Sequence, residues 1–324
     1  MKRLEQKGFT LVELMVVIAI IGLLAVALVT QAPIIQESAR ATKCKANLRA
    51  LAQAAQNFGI QGGSDNVHRY PTAGSYEIEH FRVSGGSGSR REYRGHCGWV
   101  AWTKGETWPW GKNKDSKSDK SQKDGMEIET SHGKRAFLSV TNGALWGLVG
   151  KDASVYVCDA HKVAAQPAFG AGDENKIHRS YVMSAFFKYN DGNRTKMEDD
   201  GGKPIDGVTL DGRASARLMF AELPAQNVNT GERYQDSVLE YGRKRGEESL
   251  WHDEIEEVIG FNHKTAKRWV AHVAFVDGHV DGIILPKTAI KDGNPNYSDT
   301  DLKKLTKQLC HGQEIEKEIR EKMK

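Results

Sequence analysis

The sequence has little charge of either sign to spare: 46 Lys and Arg against 42 Asp and Glu leave a net +4 over 324 residues. Spread over that length, the excess is too weak to indicate nucleic-acid binding. The motifs that announce chemistry are missing as well, with no nucleophile elbow, Walker loop, dinucleotide fingerprint or H-E-x-x-H. Nothing in the residues argues for an enzyme. Long hydrophobic runs are scarce, since the concentrated apolar character sits in the first 30 residues. With 39% hydrophobic and 27% charged residues overall, the chain is neither a polytopic membrane protein nor a disordered tail. Its length suits one large or two modest domains.

The exception is the amino-terminal run. Residues 1–8, MKRLEQKG, carry Lys2, Arg3 and Lys7 against Glu5. From Phe9 to Val29 follow 21 residues with one charge, Glu13. As a helix this run spans roughly 31 Å, about the hydrocarbon thickness of a bilayer. It is longer than the apolar core of a secretory signal, about 7–15 residues. A plain anchor accounts for the length but not for Glu13, because a carboxylate within a bilayer is costly and usually marks function.

Lys7-Gly8-Phe9-Thr10-Leu11-Val12-Glu13-Leu14, continuing through Met15 to Ala25, resembles the leader and cleavage junction of type IV pilins and type II secretion pseudopilins. The resemblance implies that prepilin peptidase cuts after Gly8 and methylates the new terminus at Phe9. It also implies that Glu13 meets the terminal amine of a neighbouring subunit. The physics agrees, since a cation brought by the next copy relieves the cost of a buried carboxylate. Charge bias alone leaves orientation open, because Arg40, Lys43, Lys45 and Arg49 oppose the leader's basic residues. The family's leader implies a cytoplasmic N-terminus, a single pass through the inner membrane, and a C-terminal domain outside the cytoplasm.

Beyond the membrane segment, Cys44, Leu48, Leu51, Ala55 and Phe58 form one stripe of an amphipathic helix. The predicted organisation is a leader at 1–8, a transmembrane half-helix at 9–29, a soluble half-helix at 30–60, and a globular domain at 61–324. Pro33 should kink or loosen the helix, and Gly59, Gly62 and Gly63 should end it. Tyr70-Pro71-Thr72 resembles a stretch that follows the long helix in major pseudopilins. Residues 111–125 lack any apolar side chain and read as a mobile exposed loop. Trp99, Trp102, Trp108 and Trp110 suit core and loop packing, or a carbohydrate platform. Strands are expected at 154–158, 180–189 and 216–222. A hairpin is expected over 270–284, turning in two residues at Asp277-Gly278 with Val276 opposite His279 and Phe275 opposite Val280. A charged surface helix capped by Ser298 or Asp299 should fill 299–324.

Gly260-Phe261-Asn262-His263 with Val273 to Val280 resembles the C-terminal signature of a pseudopilin-like group described by a histidine, nine residues and Asp-Gly. Here 13 residues separate His263 from Asp277, so no role passes to that histidine. Val157-Cys158-Asp159 and Ser180 to Met183 resemble the cysteine and tyrosine strands of the same group.

His263, His272, Asp277, His279 and Asp281 have metal-ligand chemistry, but zinc needs three or four on converging vectors. The expected hairpin register puts His272 and His279 on one face, far apart, and Asp277 belongs to the turn. No metal site is assigned on these grounds. Residues 292–301 are rich in oxygen ligands, and calcium there is the one cofactor considered, without EF-hand spacing. Four cysteines, Cys44, Cys97, Cys158 and Cys310, permit three complete pairings. Cys97–Cys158 is the preferred disulfide if the domain is extracytoplasmic, and His96, Cys97, Cys158 and His161 are an alternative zinc set.

The sequence reading is therefore an α+β, pilin-like chain: a long helix, half transmembrane, packed on an antiparallel sheet. The expected function is a structural subunit of a type II secretion-like or type IV pilus-like assembly. The expected partners are prepilin peptidase and other pseudopilin subunits. A tethered binding module for glycan or cargo, using the Trp cluster, is the alternative, and a tethered metal-dependent hydrolase is the outsider.

Overall fold

A computed structural model describes residues 10–61, 70–71, 73, 76–82, 91–97, 99–100, 133–141, 143–169, 172, 176–184, 187, 197–198, 204–205, 214–225, 238–239, 257–265 and 268–324. The leader, Gly8, Phe9, the 111–125 segment and Trp102, Trp108 and Trp110 lie outside these residues. Helix α1, Leu11–Gln61, runs 51 residues and passes through Gly59 before ending. It bends by 42° between the limbs Leu11–Val26 and Gln31–Phe58. Pro33 lies just past the bend, and its ring denies the carbonyl four residues earlier an amide partner.

The rest of the chain adds strands β1 (Tyr76–Arg82), β2 (Arg91–Cys97), β3 (Tyr181–Ser184), β4 (Met197–Glu198), β5 (Pro204–Ile205), β6 (Leu218–Glu222), β7 (Val238–Leu239), β8 (His263–Lys264), β9 (Trp269–Phe275), β10 (Val280–Ile284), β11 (Ile290–Lys291) and β12 (Asn294–Pro295). Its helices are α2 (Gly133–Thr141), α3 (Asp159–Phe169), α4 (Thr300–His311) and α5 (Lys317–Lys322). The main sheet runs β10-β9-β6-β3-β7, with β8 also on β9. Its pairs are antiparallel except β3 with β7.

Both faces of this sheet are covered. Cys44, Leu48, Leu51 and Ala55 of α1 are buried with Tyr181, Met183, Phe220 and Ala274 on one face, as the stripe predicts. Leu302, Leu305 and Leu309 of α4 and Ile319 of α5 are buried with Val273, Phe275 and Ile283 on the other. The C-terminal segment is thus two core-covering helices rather than one charged surface helix. Asp299 caps α4 by accepting from the amides of Asp301 and Leu302, and Gly312 ends it at φ 65°.

Two further expectations are corrected. Residues 154–158 are not a strand, because Ala153–Tyr156 forms a 3-10 turn whose start is capped by Asp152. The hairpin register is also one residue different: Val280 faces Ala274, and the Phe275 amide donates to the His279 carbonyl at 2.9 Å. Three residues, not two, make the connection. The amides of Val276 and Asp277 donate to the carbonyls of Arg217 and Ala214 at 3.0 and 3.3 Å, prolonging the strand's attachment. Only Gly278, at φ 90°, takes the left-handed conformation, which spares Asp277.

Candidate functional site

Among the described residues two stretches of α1 carry chemistry, one at its start and one around its middle. At its start, Glu13 Oε2 accepts from both the amide and the hydroxyl of Thr10 at 2.8 Å, and the Glu13 amide donates to Thr10 Oγ1 at 3.3 Å. This is a reciprocal capping box, with Thr10 at the cap and Glu13 three residues on. Above it the apolar side chains Leu11, Leu14, Ile18, Ile21, Leu24, Leu28 and Ile35 are all exposed. Among the described residues no single helix is long and apolar enough to cross a membrane; the two limbs of α1 meet that requirement together, by length and composition.

Further along α1, two turns apart, Glu37 and Cys44 face a buried polar cluster. Pairing of β6 with β9 puts Glu222 beside His272, and pairing of β8 with β9 sets His263 opposite Val270, on the same face. Strand alternation points all three at α1. Cys158 joins them from the turn before α3. The Cys44 thiol donates to Glu222 Oε1 at 3.1 Å, and the His272 amide donates to the same oxygen at 2.9 Å. His272 Nδ1 and His263 Nε2 approach that oxygen at 3.1 and 3.3 Å. His263 Nε2 also faces Cys158 Sγ at 3.3 Å, while its Nδ1 faces Glu37 Oε1 at 2.8 Å. Asn262 Nδ2 donates to Glu222 Oε2 at 2.9 Å, and the Tyr181 hydroxyl donates to Cys44 Sγ at 3.4 Å.

Burial alone would raise Glu222, but His263 and His272 outweigh it and hold the carboxyl well below its usual range. His263 behaves conversely. Burial opposes its charge, yet Cys158 and Glu222 push it up to about 11. The Cys44 thiol is pushed up, first by burial and then by Cys158 and Glu222. That of Cys158 is drawn down, chiefly by its hydrogen bond with Cys44. Two thiols, two imidazoles and a carboxylate therefore share one low-dielectric space, where each charge depends on its neighbours.

Of the sequence candidates, His263 and His272 meet here and the others do not. His279 is opposite Phe275 and stacks on it with ring centroids 4.3 Å apart, on the other face of the sheet. Asp277 Oδ1 accepts from the His279 amide at 3.1 Å, inside the turn. Asp281 Oδ1 accepts from the Gly282 amide at 2.7 Å. Cys158 carries a free thiol turned to Cys44 and His263, and the side chains of Cys97 and His96 lie outside the described residues. His161 is buried against Ser180 Oγ at 2.9 Å, outside the cluster.

In the 292–301 segment, Asp299 is used as a helix cap. Asp301 Oδ2 accepts from Thr288 Oγ1 and Lys322 Nζ at 2.7 and 3.1 Å. Trp99 is fully buried, 5.2 Å from Phe220 by ring centroids, and so is core rather than platform.

Sequence reasoning missed Glu37, Glu222 and the pairing of Cys44 with Cys158. The available signal was the stripe itself: one heptad back from Cys44, it lands on Glu37.

Residues 3–29 match the family described as the prokaryotic N-terminal methylation motif. The chain is also 43% identical over 60 residues to the type II secretion system core protein G of Pseudomonas aeruginosa. That match spans 18% of this chain and 42% of the relative's length. No solved structure matches the chain. The chain thus carries the prokaryotic N-terminal methylation motif, and its first part is similar to a type II secretion core protein of which it spans less than half the length.

Proposed function

We propose that this protein is a structural, non-enzymatic subunit of a type II secretion-like or type IV pilus-like assembly, processed by prepilin peptidase between Gly8 and Phe9. The uncovered apolar limb of α1 carries the reading. A run from Leu11 to Val29 with side chains as much as 74% exposed, at Leu23, is left uncovered by the other described residues. Such a surface is stable only in lipid or against the same limb of neighbouring subunits.

The leader stays cytoplasmic, the limb crosses the inner membrane, and the domain beyond the bend lies outside the cytoplasm. Removal of the leader frees the Phe9 amine four residues before Glu13. In a staggered bundle that amine approaches the Glu13 of the next copy and sets the axial register.

N-terminal analysis and intact mass of the membrane-extracted protein test this reading. The expected product begins at methylated Phe9, and a mature chain that retains residues 1–8 would overturn it.

A further inference from the structure

Cys44 Sγ, one carboxylate oxygen of Glu222, and one ring nitrogen each of His263 and His272 all lie within 4.8 Å of one another, and all four residues are buried. Metal–ligand bonds of about 2.0–2.3 Å in tetrahedral geometry separate neighbouring ligand atoms by roughly 3.3–3.8 Å. The separations from Glu222 Oε1 to Cys44 Sγ, His272 Nδ1 and His263 Nε2 are 3.1, 3.1 and 3.3 Å. The remaining separations are no more than 4.8 Å, so side-chain adjustments between a few tenths of an ångström and about one ångström bring the four atoms to tetrahedral spacing.

We propose that Cys44, Glu222, His263 and His272 hold a zinc ion, with Cys158 beside it as a further sulfur donor, and that this ion staples α1 to the sheet. Three features support zinc over a hydrogen-bonded cluster alone. The first is crowding at Glu222 Oε1. Four polar atoms, including the His272 amide, stand within 3.3 Å of this oxygen, more than its two lone pairs serve well. The second is charge. One thiolate, one carboxylate and two neutral imidazoles balance a dication, so the filled site is neutral inside a core that penalises net charge. The third is the outer ring of partners. Glu37 takes the far nitrogen of His263 and turns Nε2 inward, Asn262 holds the second oxygen of Glu222, and Tyr181 donates to Cys44. Carboxylate–histidine orientation of this kind accompanies metal-bound histidines.

Cys158, His263 and Glu37 also have the order of nucleophile, base and orienting carboxylate, at 3.3 and 2.8 Å. Burial argues against that use. Cys158 is 1% and His263 2% exposed, which leaves a substrate no approach to the sulfur. A closed set of protein ligands suits a structural ion. Its ligands come from α1, β6, β8 and β9, so the ion ties the membrane-proximal helix to three strands. The inference stands apart from filament assembly, because it concerns how the domain is fastened to its own helix.

The test uses the full chain, purified in detergent without chelator, and elemental analysis of the folded protein. About one zinc per chain is expected, and cobalt should replace it with a sulfur-to-cobalt charge-transfer band that Cys44→Ser weakens. Glu37→Gln, at a partly exposed position on α1, should keep the helical circular dichroism and lower zinc affinity about 10–100-fold. A folded wild-type chain that holds no zinc and takes up no cobalt would overturn the proposal. So would a native Cys44–Cys158 disulfide found by mass spectrometry.

Discussion

Thr10 and Glu13 close the first turn of α1 on each other, with the amide and hydroxyl of Thr10 both donating to Glu13 Oε2 at 2.8 Å. Glu13 thus has a local task, satisfying a free helix-end amide, besides the intersubunit task proposed above. Two substitutions separate them. Glu13→Gln keeps a capping side chain but removes the charge, so it should leave the chain inserted and helical while filament assembly fails. Thr10→Ala removes the cap, costing about 1 kcal/mol of helix stability, and keeps the charge, so assembly should persist. Pull-down of wild-type subunits by each variant reads the difference. Full assembly by Glu13→Gln would leave the carboxylate with its capping role alone.

The close approach of residues 257–262 to the end of β6 gives a second prediction. A Cβ at Gly260 would lie 2.2 Å from the Leu223 carbonyl oxygen and 2.5 Å from the Pro224 nitrogen, both backbone atoms. Neither can swing aside. Gly260→Ala should therefore cost about 1–3 kcal/mol, lowering Tm by about 2–4 °C per kcal/mol. It should also disturb Asn262 and His263, the next residues to enter the cluster. At Gly147 an added Cβ meets nothing within 4 Å, so Gly147→Ala should melt with the wild type. Equal Tm values for all three chains would contradict the packing described for Gly260.

How much of this was legible in the residues depends on the range of the interaction. The stripe from Cys44 to Phe58 is a property of one helix, and its spacing alone names the buried face. The 270–284 hairpin is equally local, yet its residues do not fix its register. Asp-Gly signals a tight turn without saying how long the neighbouring segment at 214–217 holds the strand, and one residue of slip moves His279 to the opposite face. The cluster was the least accessible. His263 and His272 both stand out as ligand types, but their companions are set by contacts such as Glu37 with His263, 226 positions apart, and no pattern within any one element encodes such a meeting. The local structure before Cys158 is hidden in the residues, because Val155, Tyr156 and Val157 have strand composition while the Asp152 cap commits the segment to a turn.

The two limbs of α1 should respond to mutation in opposite ways. Leu48 is fully buried against the sheet and Leu23 is 74% exposed. Leu48→Ala should destabilise the domain by about 2–5 kcal/mol, read as a lower denaturation midpoint in detergent. Leu23→Ala should leave that midpoint unchanged and weaken association between copies in the membrane. A loss of domain stability on changing Leu23 would mean that the apolar limb folds back onto its own chain.

His161 sets the expected response to acid. Burial is the main cause that lowers its pKa, from 6.5 to about 4, with Arg179 adding to the effect and Glu222 and the Pro224 backbone opposing it. The folded state therefore holds His161 neutral, with Nδ1 against Ser180 Oγ at 2.9 Å. The unfolded chain takes up a proton near 6.5. Stability from this residue is complete above that pH and is lost as pH falls toward about 4, by up to about 3 kcal/mol. Glu222 is also depressed, but an unfolded glutamate binds its proton only near 4.5, so its loss begins at lower pH and the two effects separate. Urea unfolding followed from about pH 7 to about pH 5 should show declining stability in the wild type and a flatter dependence in His161→Gln. Matching slopes in the two proteins would mean that His161 already carries its proton in the fold, and that the buried site beside Ser180 tolerates the charge.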